Sequence, residues 1–370
     1  MDELVPVCRP HLWGDELAEV ERVLDAGWLS ASTPVVEEFE HAFARRTGVT
    51  HAVAVMNGTC ALELALDVLA IGPGDEVIVP AFCMFSPVLA VLRRGAIPIP
   101  VDADRTWNLD VEQTRAAITS RTRAILVVHT YGHPARCEEL VGLAREAGVL
   151  LVEDAAEALG ATVGDRHVGT FGALGCFSLY ANKVITTGEG GVVVTDSDHL
   201  AQALRWKRNL CFGSDDETRF THEALGYNYR MSALQAALGV AQIRHLDAAV
   251  ESRIANARSY DAELAAIPGI ALPPRSSWCG NVFWVYGITI ESQKFGKPRA
   301  AIQRALREAG IETRRFFTPL HRQPVLRGTA GNFPVADRLW RDGFYLPSFV
   351  GMPASVAGRV ATILTREARS

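Results

Sequence analysis

The chain has 370 residues, 48% of them hydrophobic and 21% charged, with 37 Lys and Arg against 42 Asp and Glu. It is long enough for about two domains and too apolar to be disordered. A net charge of −5 excludes a protein that coats nucleic-acid duplexes through a basic face.

Seven cysteines (Cys8, Cys60, Cys83, Cys137, Cys176, Cys211 and Cys279) are scattered, with no C-x-x-C pair for a zinc ribbon or a thioredoxin-like motif. Unpaired thiols in a large chain fit a reducing compartment. The first residues lack the basic and apolar regions of a secretory signal. The longest apolar stretch, residues 81–92, is broken by Ser86 and Pro87 and falls short of the ~20 residues that span a bilayer. The expectation is a cytoplasmic protein without membrane or nucleic-acid partners.

In chain order, residues 51–56 read as a strand, Asn57-Gly58-Thr59 as a turn, and 61–69 as a helix with Leu62, Leu66 and Leu69 on one face. Residues 76–79 form a buried strand stopped by Pro80, and 123–128 form another. A Gly132/Pro134 turn leads to a helix at 137–147, then to a strand at 149–152 that ends on Glu153-Asp154. Residues 191–195 repeat the strand pattern. Apolar strands alternating with helices predict an α/β fold whose mainly parallel sheet is covered on both faces. Beyond Met231 the texture changes: Ser232 caps a helix running to about Ala265, and 281–290 reads as a strand of a second sheet. A helix at 297–310, a strand at 311–317 and a helix at 354–369 follow. The expected division is a large α/β domain over residues 1–245 and a smaller α+β domain over 246–370.

Ligands of an open parallel sheet sit beyond the carboxyl ends of its strands, and three groups of residues fall there. Asn57-Gly58-Thr59 can let backbone N–H groups approach a phosphate, or can be an ordinary turn with a Thr cap. Asp154 can hold a cationic ring nitrogen, or cap the next helix. Lys183, between Phe177-Ser178 and a Gly-rich turn, lies in apolar surroundings that would free its amine as an imine-forming nucleophile; an exposed loop lysine is the alternative. Taken together, a phosphate cradle, an acid for a pyridinium and an imine-forming lysine are what pyridoxal 5'-phosphate requires.

Thr187-Gly188-Glu189-Gly190-Gly191 after Lys183, Glu153-Asp154-Ala155-Ala156-Glu157 and Gly226-Tyr227-Asn228-Tyr229-Arg230-Met231 resemble signature segments of the DegT/DnrJ/EryC1/StrS aminotransferases. The likeness runs from Gly27-Trp28-Leu29-Ser30 to Leu346-Pro347-Ser348. It implies a fold-type-I, aspartate aminotransferase-like architecture with a seven-stranded-type sheet, a pyridoxal-phosphate cofactor and a homodimer with shared active sites. Phe177-Ser178, Asn182-Lys183, Phe283-Trp284 and Thr313-Arg314-Arg315-Phe316-Phe317 most resemble the perosamine synthase group. That group moves an amino group, here expected from L-glutamate, to C4 of a nucleotide-linked 4-keto-6-deoxysugar. A 3-keto sugar or aminocyclitol acceptor is the alternative within the family, and a non-catalytic regulatory homologue the alternative outside catalysis. Lys183 argues against the dehydratases, which carry His there.

The resemblance implies that Lys183 links to the cofactor and shuttles the proton, and that Asp154 keeps the pyridine nitrogen protonated. Ala156 would pack beneath the ring and Glu157 lie near its phenolic oxygen. Gly58, Thr59 and Ser178 would bind the phosphate, joined by Asn228 of the neighbouring subunit, with Arg230 near the donor or sugar-nucleotide site. Tyr227 and Tyr229 are expected to pack. Met84 stands where the family usually stacks an aromatic on the cofactor, with Phe85 or Phe82 as substitutes. His321 matches a segment near the site's mouth, in contact with substrate or structural. Arg314 and Arg315 could face a diphosphate or end a solvated strand. Trp28 and Ser30 could border the sugar, with Trp28 as a core residue the alternative. His129 and His133 have i, i+4 spacing but sit on a strand and a turn, so no metal site is expected.

Overall fold

The computed structural model describes residues 4–328 and 331–369. Its strands before residue 200 are β1 (His51–Val55), β2 (Glu76–Pro80), β3 (Ile97–Val101), β4 (Thr122–Val128), β5 (Leu150–Asp154), β6 (Thr162–Val163), β7 (Arg166–His167), β8 (Leu174–Ser178) and β9 (Gly191–Thr195). Seven of them make one sheet in the order β1-β9-β8-β5-β4-β2-β3. Neighbours from β8 to β3 are parallel, while β9 is antiparallel to both β8 and β1.

Because strand side chains alternate, one run of apolar residues serves two layers. On β4, Ala124, Leu126 and Val128 join Leu62 and Leu66 of the helix Gly58–Val68. Ile125 and Val127 join Leu140 and Leu143 of the helix Cys137–Ala147 on the opposite face. The five strands expected from apolar runs are all present, and β3 and β8 complete the sheet. The sequence Ile97-Pro98-Ile99-Pro100 conceals β3, because proline suits only an edge strand, and β3 is an edge. On the other edge, β1, the N–H of Ala54 donates to Glu40 at 2.8 Å, and the carbonyls of Ala52 and Ala54 accept from Arg205 (3.3 Å) and Arg208 (2.7 Å).

Later in the chain, β10 (Ile270–Ala271), β11 (Cys279–Gly280), β12 (Tyr286–Ile290), β13 (Arg314–Arg315) and β14 (Gly343–Leu346) follow. β10-β12-β14-β13 is an antiparallel sheet, whereas β11 pairs with β6 in a small sheet with β7. The helix expected over 232–265 is two, Ala233–Arg244 and Leu246–Leu264. At the break, His245 stacks on Trp13 (4.6 Å) and faces Asp15 at 3.1 Å. The strand expected from 281 starts only at Tyr286, since Phe283 takes φ 48°. The strand expected over 311–317 shortens to Arg314–Arg315. The N-terminal segment crosses over to this part: Val5 pairs with Ile311, and Val7 O accepts from Ser348 N at 3.0 Å. No helix among the described residues is long and apolar enough to cross a membrane.

One cation ties the pieces together. Arg253, on the helix Leu246–Leu264, is only 1% exposed and donates to the carbonyls of Trp284 (2.6 Å), Ser348 (3.0 Å) and Lys183 (3.3 Å). Substituting Arg253→Met should lower stability by about 3 kcal/mol or more, because buried carbonyls are left without donors. Urea unfolding of the variant checks this, and an unchanged midpoint would contradict the tie.

Candidate active site

The site begins where β1 ends. Asn57 caps the helix Gly58–Val68, its side chain accepting from Cys60 N–H at 2.9 Å. The first-turn N–H groups of Gly58 and Thr59 are engaged by no hydrogen bond among the described residues, the usual condition of a helix start that receives an anion. Glycine is required at 58, since a Cβ there would come within 2.8 Å of Ser178 Cβ. Ser178 is the last residue of β8, and Thr59 Oγ1 lies 3.2 Å from Ser86 Oγ.

At the end of β5, two adjacent carboxylates point to opposite faces and meet opposite fates. Glu153 turns inward and accepts from Phe171 N–H (2.6 Å), Gly172 N–H (2.7 Å), Gly169 N–H (2.8 Å) and His129 Nε2 (3.0 Å). Burial alone would raise its pKa, but these donors bring it below the usual glutamate value. Asp154 turns toward a cavity, and among the described residues its carboxylate accepts only from Ala156 N–H, at 3.0 Å. Burial therefore prevails and pushes its carboxyl up. Glu157, also buried, accepts from Tyr131 N–H at 2.8 Å and is pushed up to about 7 by burial.

Lys183 lies across the same cavity on the loop that follows β8. The residue is half-buried, but protein surrounds its amine, and that burial lowers its pKa against the pull of Glu157 and Asp154. Its Nζ sits 4.0 Å from the centroid of the Trp284 ring and has no salt bridge among the described residues.

These groups face one cavity of about 580 Å³, lined by Gly58, Thr59, Met84, Asp154, Ala156, Glu157, Ser178, Lys183 and Arg314 among the residues singled out from sequence. Ser86, Asn182, Trp284, Phe317 and Tyr345 also line it. Phe85 does not: it packs partly buried against the core beside β2, while Phe82 is fully buried near Tyr131, Phe316 and Phe317. Met84 therefore supplies the cavity's side chain from that segment, 49% exposed.

Several other expected residues stand outside the cavity of the single chain. Asn228 is exposed and bridged to Asn209, and Arg230 donates to Asn209 Oδ1 at 2.8 Å. His321 is taken up by Asp337 (2.9 Å) and a stack on Phe333 (4.8 Å). Arg315 lies over Trp340 at 4.9 Å. Trp28 is 64% exposed, so it is no core residue of this chain, and Ser30 is exposed beside it. Tyr227 and Tyr229 stack on each other at 4.6 Å, as packing residues do.

Tyr131 was not legible: it adopts φ 57° just before Gly132, and only the turn signal at Gly132/Pro134 marks its neighbourhood. His129, Cys137 and Glu153 place potential ligand atoms within 4.8 Å of one another. The four donors on Glu153, and Ala135 N–H on His129 Nδ1 at 3.1 Å, make that trio a hydrogen-bonded support beneath Asp154.

The DegT/DnrJ/EryC1/StrS aminotransferase family model matches residues 10–365. The chain belongs to this family. It is similar to GDP-perosamine synthase of Caulobacter vibrioides, 38% identical over 363 residues and 97% of each chain. It is also similar to the erythromycin biosynthesis sensory transduction protein EryC1 of Saccharopolyspora erythraea, 39% identical over 332 residues and 88% of each. Among solved structures, DesI in the presence of its TDP-sugar product superposes with a TM-score of 0.92 at 31% identity, over 100% of this chain and 94% of that one. Like its relatives in this aminotransferase family, the chain carries an α/β fold with a large sheet of mostly parallel strands.

Burial of Glu157 has a measurable consequence in this family member. Its folded-state pKa of about 7 lies above the ordinary 4.5, so its contribution to stability is complete below about 4.5 and is lost as pH rises through about 7. In cofactor-free protein, Glu157→Gln should remove a loss of roughly 3 kcal/mol between about pH 5 and pH 8. Urea unfolding at both pH values measures it.

Proposed function

We propose that this aminotransferase uses pyridoxal phosphate to move an amino group from L-glutamate to a nucleotide-linked 4-keto-6-deoxysugar, giving the 4-amino-4,6-dideoxysugar nucleotide. The observation that carries the reading is the single cavity onto which the Gly58–Ser178 cradle, the underbonded Asp154 carboxylate and the Lys183 amine all face. The residues fit the cofactor. Among the described residues the helix start has unengaged N–H groups that suit a phosphate, Asp154 has one oxygen without a donor that suits a pyridinium, and the Lys183 amine has no salt bridge and can act as nucleophile. When bound, the cofactor supplies an electron sink for the carbon next to the transferred nitrogen.

The chain's own residues then have distinct tasks. Gly58, Thr59 and Ser178 would hold the cofactor's phosphate at the cavity wall. Asp154 would keep the ring nitrogen protonated by its charge, and Ala156 would pack against the ring. Met84 would pack against the ring with a polarizable sulfur, and Glu157 would pair with its phenolic oxygen. Lys183 takes the proton from the donor's α-carbon and returns it to the sugar carbon. Arg314 reaches the sugar-nucleotide diphosphate from the cavity rim.

The partners are a nucleotide keto sugar, L-glutamate and a second copy of the chain. In the homodimer, Asn228 completes the phosphate site of the neighbouring copy, with Arg230, Trp28, Ser30, His321 and Arg315 toward the donor or sugar nucleotide. Support comes from the exposure of Asn228 and Trp28, and of Phe220 (77%) and Leu225 (92%) on the segment leading to Asn228. Residues 1–245 form the cofactor-binding domain and 246–370 the smaller one. The 38% identity to a GDP-perosamine synthase supports C4 of the sugar over other acceptors, and a cytoplasmic location is consistent with that substrate class.

Lys183→Ala should abolish transamination by more than about 10⁴-fold and remove the visible absorbance of bound cofactor. Asp154→Asn should keep the cofactor but lose about 10²- to 10⁴-fold in rate. The deciding assay incubates the enzyme with L-glutamate and a panel of nucleotide keto sugars, and identifies the aminated product by mass and NMR. Turnover by the Lys183 variant, or amination only of 3-keto sugars or aminocyclitols, would overturn the reading.

A further inference from the structure

A buried ammonium normally closes on a carboxylate, yet among the described residues Lys183 does not, although Asp154 and Glu157 line the same cavity. Its Nζ rests instead on the indole face of Trp284, 4.0 Å from the ring centroid. That ring is held in place from several directions. Its indole N–H donates to Asn182 O at 2.8 Å, on the residue next to the lysine. Arg253 grips Trp284 O at 2.6 Å and Lys183 O at 3.3 Å, so ring and lysine share one clamp. Phe283, immediately before it, takes φ 48°, a conformation a bulky side chain adopts only where its surroundings enforce it. The enforcing contacts are Asn281 Oδ1, which accepts from Phe283 N–H at 2.7 Å, and Gly132 O, which accepts from Val282 N–H at 3.2 Å. Gly132 itself has φ 95°, and a Cβ there would lie within 2.8 Å of Trp284 N. The backbone on both sides is shaped to bring this indole against this amine.

We propose that Trp284 is a positioning residue for Lys183, its indole face parking the ammonium whenever the amine is not engaged with cofactor or substrate. The purpose we give the contact rests on the aminotransferase reading; the contact itself does not. A salt bridge from Lys183 to Asp154 would spend the negative charge that must face the ring nitrogen. A π face attracts the cation but accepts no proton, so it favours the charged amine without neutralising either carboxylate. The attraction is also weaker than a buried ion pair, which lets the side chain leave when it must act. Other charged or titratable groups around the amine are Asp154 and Glu157, Arg253 from its helix and Cys8 from the N-terminal segment. Arg314 and Tyr345 lie on the wall of the same cavity.

The test reads the Lys183 amine directly in cofactor-free protein, by pH-dependent competitive acylation with mass spectrometry of the Lys183 peptide. Trp284→Leu removes the π face, whereas Trp284→Phe keeps one; both lose the indole N–H bond, so each controls for the anchor in the other. The leucine variant should move the Lys183 titration midpoint down by about one pH unit, and the phenylalanine variant by less than half as much. Thermal unfolding confirms that both variants fold, and Trp284→Met takes the place of leucine if that variant does not. An unchanged or raised midpoint without the ring, or equal shifts for phenylalanine and leucine, would overturn the proposal. Since the midpoint is measured without cofactor or substrate, it stands apart from whether the enzyme transaminates.

Discussion

The site depends on how hydrogen-bond donors are shared between two neighbouring carboxylates. Among the described residues, Glu153 has three backbone N–H groups and an imidazole at hydrogen-bond distance, while the Asp154 side chain, one residue on, has a single N–H. A buried carboxylate with four donors is stable as an anion and holds its strand end rigid. Its neighbour is fixed by that rigidity but keeps an oxygen to offer. The pleat of β5 makes this possible, because successive side chains necessarily emerge on opposite faces. The loop Gly169–Phe171–Gly172 and the turn around His129 exist, in this view, to satisfy the inner carboxylate so that the outer one need not be satisfied.

A second constraint comes from the other end of the chain. Lys183 belongs to the portion with the large sheet and Trp284 to the portion with the small one, and Arg253 binds the carbonyls of both. The lysine's surroundings therefore form only when distant segments have packed. Nothing local to residues 177–191 would create the low-dielectric wall against which the amine lies. Burial of the same region raises Glu157 and Asp154 and lowers Lys183, which brings acid and base closer in proton affinity than they are in water.

What could be read from the chain alone follows from how local each signal is. β1, β2, β4, β5 and β9 are buried on both faces, so each appears as an unbroken apolar run. β3 is hidden by its two prolines, and β8 by Gly175, where a Cβ would come within 1.9 Å of Gly169 O. The break at His245 interrupts no apolar periodicity, since it is made by contacts to Trp13 and Asp15 more than 200 residues earlier. Gly58 and Asp154 were legible because they stand at the ends of apolar strands, and Lys183 because it precedes a Gly-rich turn. Arg253 was not, for a charged residue within a long helix reads as solvent-facing until the carbonyls it serves are placed around it. Tyr131 was not, because no residue pattern announces a tyrosine at positive φ. Asn228 and Trp28 are exposed and do not line the cavity, so packing within the chain gives neither a place in the site.

The two margins of the large sheet carry a final implication. In β3, Ile97 N–H and Val101 O bond inward to Asp75 O and Ala81 N–H, so the alternate positions, Pro98 and Pro100, face outward with no donor to offer. At β1 the outward groups of Ala52 and Ala54 are already occupied by Arg205, Arg208 and Glu40. Neither margin can template another strand. Copies of this chain can therefore crowd together during synthesis without their large sheets fusing edge to edge, and contacts between large sheets must be built from side-chain surfaces.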